Sequence, residues 1–182
     1  MKALQCPFVL PEVNKLMILK LKVTLSTQQF DECCLFLADF NWMTALMSAF
    51  QEVQIHTRVI WWKTVCGAWT TSHRMHEDNQ KSCVYGCIDC KDTLCHYLEC
   101  PVLWQLAREV TPLEATSSPA GRLSLVVPSK QSLNRLAVAF NLYHNTKNDH
   151  LPFDYEFNFS VPNFVQHRAS AVALSLRSQF NN

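Results

Sequence analysis

The sequence predicts a mainly α-helical chain with a few short strands, organised around a small cysteine-rich centre. Three patterns point to it. Polar residues recur at helical intervals through 41–60, and Leu133, Leu136, Ala137, Phe140 and Tyr143 define one helical face further on. Strict alternation is confined to two short stretches, 17–25 and 153–161. Five of the nine cysteines (Cys83, Cys87, Cys90, Cys95 and Cys100) fall within eighteen residues.

In chain order, Leu19, Leu21, Val23 and Leu25 alternate with Lys20, Lys22 and Thr24, a strand pattern. Ser26 or Thr27 then suits a helix start, and Ser26 with Gln29 has capping-box spacing. From 41 to 60, Asn41, Thr44, Ser48, Gln51 and His56 interrupt an otherwise apolar stretch at helical spacing, giving a largely buried helix that runs on into Trp61, Trp62 and Trp69. Those tryptophans are read as core in preference to base-stacking platforms. Pro101 suits the first position of a helix carrying Leu103, Leu106, Ala107 and Val110. Pro112, Ser117, Ser118, Pro119 and Gly121 make 111–122 a loop, and Ser129 or Ser132 lies near the start of the next helix. Phe153, Tyr155, Phe157, Phe159 and Val161 alternate as a second strand, followed by a helix over 164–178. The organisation expected is an N-terminal segment, 1–40, a helical domain, 41–147, and a C-terminal segment, 148–182.

Composition narrows the function. Hydrophobic residues at 48% and charged residues at 17% can build a core, unlike a disordered chain. A net charge of +1 gives no global attraction to nucleic acid or anionic lipid, so any such contact needs a local basic patch. Three glycines, Gly67, Gly86 and Gly121, are too few and too scattered for a phosphate-cradling loop. Lys20 and Lys22 break the best candidate for a membrane span. Pro7 and Pro11 interrupt the start, which makes a poor secretory signal. The expectation is therefore an intracellular protein, nuclear or cytoplasmic, whose cysteines bind metal more readily than they pair.

Zinc takes four ligands in a tetrahedron and favours thiolate and imidazole. Cys83-Val-Tyr-Gly-Cys87 offers a loop in which Gly86 allows a sharp turn, and His96-Tyr-Leu-Glu-Cys100 offers two ligands one helical turn apart. Asp92 and Thr93 sit where that helix needs a cap. Two ligand sets compete. Cys83, Cys87, His96 and Cys100 is the preferred set, because it leaves the longer loop between the halves. Cys87, Cys90, His96 and Cys100 come close to a retroviral zinc knuckle. Either set fills all four positions, so the Zn2+ is structural and leaves no place for a reactive water. Cys95 and His96 are a weak nucleophile pair, because neighbours in a helix point apart. Cys6, Cys33, Cys34 and Cys66 read as core thiols.

Thr70-Thr71-Ser72-His73-Arg74-Met75-His76, the Cys83/Cys87 loop, Asp92-Thr93 and His96-Tyr-Leu-Glu-Cys100-Pro101 together resemble the zinc-binding C-terminal region of non-LTR, LINE-type retrotransposon reverse transcriptases. Trp61, Trp62 and Trp69 fit that family's leading helix, and Trp104 fits an aromatic after the last ligand. The likeness covers about 57–110. It implies a non-catalytic tail piece that helps to hold RNA or DNA. Cys90 and Cys95 depart from the pattern as additional thiols. The polymerase signature, an aromatic-Ala-Asp-Asp turn, is missing: Leu37-Ala38-Asp39-Phe40 supplies one carboxylate where metal-dependent chemistry needs a pair.

The function expected is a zinc-stabilised nucleic-acid-binding module without enzyme activity. Arg58, Lys63, His73 and Arg74 are its candidate phosphate contacts, in a stretch from His56 to His76 without an acid. The alternative is a structural or protein-interaction zinc module. Neither calls for a small-molecule substrate or a membrane.

Overall fold

The computed structural model describes residues 9–37, 40–79, 81–111 and 118–148. Eight helices follow one another there: α1 Val9–Thr24, α2 Thr27–Leu37, α3 Phe40–Glu52, α4 Ile55–Val65, α5 Leu94–Tyr97, α6 Pro101–Val110, α7 Pro119–Arg122 and α8 Lys130–Asn148. Strand pairing among the described residues is one isolated antiparallel bridge, Ser82 to Lys91. The strand and helix expected over 153–161 and 164–178 lie outside the described residues.

The stretch 17–25 is helical, against the expectation of a strand. Six of its nine residues are apolar, Lys20, Lys22 and Thr24 being the exceptions, and both periods fit on paper. The helical one places Met17, Leu21 and Leu25 on the buried side, at i, i+4 and i+8. At the next boundary Ser26 and Gln29 form the anticipated capping box: the Gln29 N–H donates to Ser26 Oγ at 3.3 Å and the Ser26 N–H to Gln29 Oε1 at 3.4 Å. The single helix expected over 41–60 is two, broken at Val53–Gln54, where Gln54 turns extended (φ −63, ψ 153). Arg58 holds the break, its Nε and Nη2 donating to the Val53 carbonyl at 3.3 and 3.0 Å.

Helix α8 is the centre of the architecture and packs against α6, α4, α3 and α7. The tryptophans explain much of the core. Trp61, Trp69, Trp104 and Trp42 are buried, and each indole N–H has a partner: Leu123 O at 2.8 Å, Thr64 Oγ1 at 2.9 Å, Tyr97 O at 2.8 Å and Leu37 O at 3.4 Å. A large ring can be buried without penalty only when its polar atom is satisfied. Trp69 clusters with Tyr97 and Tyr143, whose centroids are 6.1 and 5.1 Å from it and 4.6 Å from each other. Trp61 and Trp69 are core, as the sequence suggested, whereas Trp62, also expected there, is 38% exposed on the outer side of α4.

Helix α1 joins the core by packing on α4 and α2. Its last residue, Thr24, meets Gly67 just past α4. Gly67 has φ +63, and a Cβ there would lie 2.7 Å from Thr24 Oγ1, so only glycine allows the approach. No helix among the described residues is long and apolar enough to cross a membrane.

Candidate metal centre

Residues 81–92 fold back on themselves. The Cys83 N–H donates to Cys90 O at 2.8 Å and the Asp92 N–H to Lys81 O at 2.8 Å, flanking the Ser82–Lys91 bridge. At the tip the Gly86 N–H donates to Cys83 O at 3.0 Å with Gly86 at φ +78. That turn puts Cys83 and Cys87 on one side, and the Tyr85 N–H points at Cys83 Sγ from 3.4 Å. The other half comes from the α5–α6 junction. Thr93 caps α5, its Oγ1 accepting from the His96 N–H at 3.2 Å. The helix stops after Leu98, and Cys100 is the N-cap of α6 with Pro101 behind it. His96 and Cys100 therefore meet across a corner between two helices, not as i and i+4 of one helix.

Cys83, Cys87, His96 and Cys100 form a group that could hold a metal ion, with their donor atoms all within 4.8 Å of one another. Cys87 Sγ and Cys100 Sγ are 3.6 Å apart, too far for a disulfide. Cys83 and Cys100 are buried, while Cys87 and His96 are half-buried. His96 Nε2 is itself buried with no hydrogen-bond partner. A buried imidazole nitrogen left this way is costly unless something else takes its lone pair or its proton. The thiols share the same problem. The hydrogen bond from Cys100 is the largest influence on Cys83, and together with His96 and the Tyr85 N–H it outweighs burial and pulls the Cys83 pKa below the ordinary thiol value. Cys100 is pushed up by that same bond and by burial, and Cys87 by burial and the Cys83 charge. Burial and a neighbouring thiolate both disfavour charge on the other two sulfurs. A divalent cation would allow all three to ionise.

The Cys90 sulfur is not in the four-atom group, so the geometry assembles Cys83, Cys87, His96 and Cys100 and leaves the knuckle-like set incomplete. Cys95 points away: its Sγ donates to Thr24 O at 2.9 Å, and its carbonyl accepts from Gln29 Nε2 at 3.1 Å. It ties α5 to the α1–α2 corner.

Asp92, expected as a helix cap, does something larger. Thr93 takes the capping role and the Asp92 carboxylate turns inward, fully buried. It accepts from the Ser72 N–H at 2.7 Å, from Tyr143 Oη at 3.1 Å and from Lys147 Nζ at 2.7 Å. Tyr97 hydrogen-bonds to it as well, while the Tyr97 Oη accepts from the Val84 N–H at 3.1 Å. Burial pushes the carboxyl up, but Lys147, Ser72 and Tyr97 outweigh it and hold its pKa below the ordinary aspartate value. One carboxylate thus pins the 70–73 loop, the metal loop and the end of α8 together. Four residues from His96, it is the site residue that sequence reasoning missed.

The four candidate phosphate contacts separate. His73 and Arg74 line one surface cleft of about 520 Å³ with Thr71, His76, Thr93 and Cys95, and no carboxylate lines it. Arg74 Nη1 also donates to Ala68 O at 3.1 Å. Arg58 is folded back on Val53, and Lys63 lies over the Phe140 ring at 5.6 Å; neither lines the cleft.

No protein-family model, curated protein or solved structure matches this chain.

Proposed function

We propose that this chain is a zinc-stabilised nucleic-acid-binding module in which Cys83, Cys87, His96 and Cys100 hold one structural Zn2+. The carrying observation is the donor group itself. A tetrahedron with Zn–S near 2.3 Å has sulfur–sulfur edges of about 3.8 Å, and Cys87 Sγ and Cys100 Sγ are already 3.6 Å apart. Three thiolates and one imidazole suit zinc by softness and by geometry. The protein fills every position, so the metal organises the fold and performs no chemistry.

Support for nucleic acid is the cleft beside the centre, where Arg74, His73 and His76 converge with threonine hydroxyls and no acid. It offers cationic and neutral donors to phosphate oxygens. Buried Trp61 and Trp69 supply no stacking platform, so this reading relies on backbone contact. The order of motifs in a LINE-type reverse transcriptase tail is consistent with it, and the chain would then act as a non-catalytic holder of RNA or DNA. A second reading, a structural or protein-interaction zinc module, is favoured by the internal use of Arg58 and by the burial of four tryptophans.

Titration with single-stranded RNA and duplex DNA at two salt concentrations separates the two. Under the first reading, Arg74→Ala weakens binding similarly across sequences and lowers the salt slope by about 0.9 on duplex DNA, with zinc content unchanged. Absence of binding at low salt selects the second reading.

A further inference from the structure

Helix α4 is apolar on two sides. Ile60, Trp61 and Val65 face the core, while Ile55 (74% exposed), Val59, Trp62 and Cys66 run along the outside at spacings of four, three and four. Helix α1 repeats the pattern. Met17, Leu21 and Leu25 are buried, and Leu16, Leu19 (62% exposed) and Val23 (87% exposed) face outward at spacings of three and four. A stripe at this period is what a helix normally buries. Among the described residues nothing covers either one. The stripes converge, because Val23 and Cys66 line the same cleft and Thr24 touches Gly67.

The charges carried by these two helices share one sign past Glu12. Helix α4 contains no acid, and α1 contains none after Glu12; Lys20, Lys22, His56 and Lys63 are exposed on these helices. A second copy of this chain would set lysine against lysine across a two-fold interface. Nucleic acid would answer the lysines and leave six large apolar side chains in water.

We propose that the outer faces of α1 and α4 form a docking surface for an acidic amphipathic helix of another protein. Its apolar side would lie along the converging stripes, as in helix-in-groove recognition. Its carboxylates would meet Lys20, Lys22 and Lys63, which sets partner sign and orientation more than affinity. The stripes meet at the cleft that the nucleic-acid reading uses, so the two partners would compete there, but the exposed apolar stripes stand as an observation without that reading.

The test uses the full chain and a fluorescent designed peptide of about five helical turns, with leucines at i, i+3, i+4 and i+7 and glutamates on the flanks. A twin carries lysine for every glutamate. The acidic peptide should bind roughly ten-fold or more tighter than its twin, a preference that shrinks with salt. Leu19→Glu and Val59→Glu should each weaken it by about ten-fold, with helicity and metal content retained. Val127→Glu, at an exposed apolar residue elsewhere, should leave it unchanged. Equal binding of the two peptides, no binding, or an equal loss in Val127→Glu would overturn the proposal. So would a Leu19→Glu-sensitive dimer seen by sedimentation, or vesicles of phosphatidylserine binding this face without preference between peptides.

Discussion

Two buried polar centres lie a few residues apart, and they are closed in opposite ways. The Asp92 centre is complete within the protein: a carboxylate, a lysine, two tyrosines and a backbone N–H satisfy one another. The Cys83/Cys87/His96/Cys100 centre is not. It brings three sulfurs and an imidazole together and leaves His96 Nε2 without a partner. A buried ion pair fixes geometry because breaking it leaves a bare charge. A thiol cluster fixes nothing until a cation replaces its protons. The lesson is a division of labour. Asp92 sets the scaffold, holding the 70–73 loop and the cysteine loop against α8, and a metal held by the four donors would lock the two halves that the scaffold presents.

The largest expected effect comes from removing a ligand. Cys100→Ser or His96→Ala should abolish stable metal binding, read by competition with a chromophoric chelator. They should also loosen 81–100, read by hydrogen exchange, since structural zinc supplies about 10–16 kcal/mol of apparent binding energy in small zinc domains. If either variant keeps full metal content, the comparison fails on its metal side.

Next is Asp92→Asn, which leaves Lys147 without its charge partner. A loss of about 3 kcal/mol follows from breaking a buried pair, lessened somewhat because Lys147 is partly solvated, with a side chain 14% exposed. Denaturant unfolding of zinc-loaded protein measures it. The pH dependence has a fixed sign. The folded carboxyl has the lower pKa, so the unfolded chain binds more protons and the stabilisation is present above the unfolded value, about 3.9. It is lost as pH falls through the lower folded value. The gap between parent and Asp92→Asn should therefore be constant near neutrality and close below about pH 4. A gap that widens in acid would refute the assignment.

Smaller effects sharpen the boundary between the centres. Cys90→Ser should keep one metal per chain. Cys95→Ala should lose about 1 kcal/mol with its bond to Thr24, whereas Cys95→Ser, which can still donate, should lose less. Ser26→Ala should remove one side of the capping box and about 1 kcal/mol, with metal content intact.

What was legible in the sequence follows from how local each feature is. Thr93, Pro101, Gly86 and the Ser26/Gln29 pair act within a few residues of themselves, so spacing alone located the caps, the turn and the start of α6. The four donors that the structure brings together were legible for the same reason. Spacing favoured Cys83 over Cys90 through the longer loop it leaves, and the structure groups Cys83 with the other three donors. Asp92 could not be found this way. Its partners Tyr143 and Lys147 are more than fifty residues distant, and next to Thr93 it mimics a cap. The strand expected at 17–25 failed because its apolar residues fit two periods at once, and packing against α4 and α2 selects the helical one. The break at Val53–Gln54 has no glycine or proline to announce it; Arg58 supplies the carbonyl's partner instead.

The most direct measurement is metal analysis of protein purified under reducing conditions, joined to X-ray absorption at the zinc edge. The account predicts close to one zinc per chain with three sulfur neighbours near 2.3 Å and one nitrogen near 2.0 Å. Folded protein that carries no metal and takes up none on titration, or zinc bound mainly by oxygen, would contradict it.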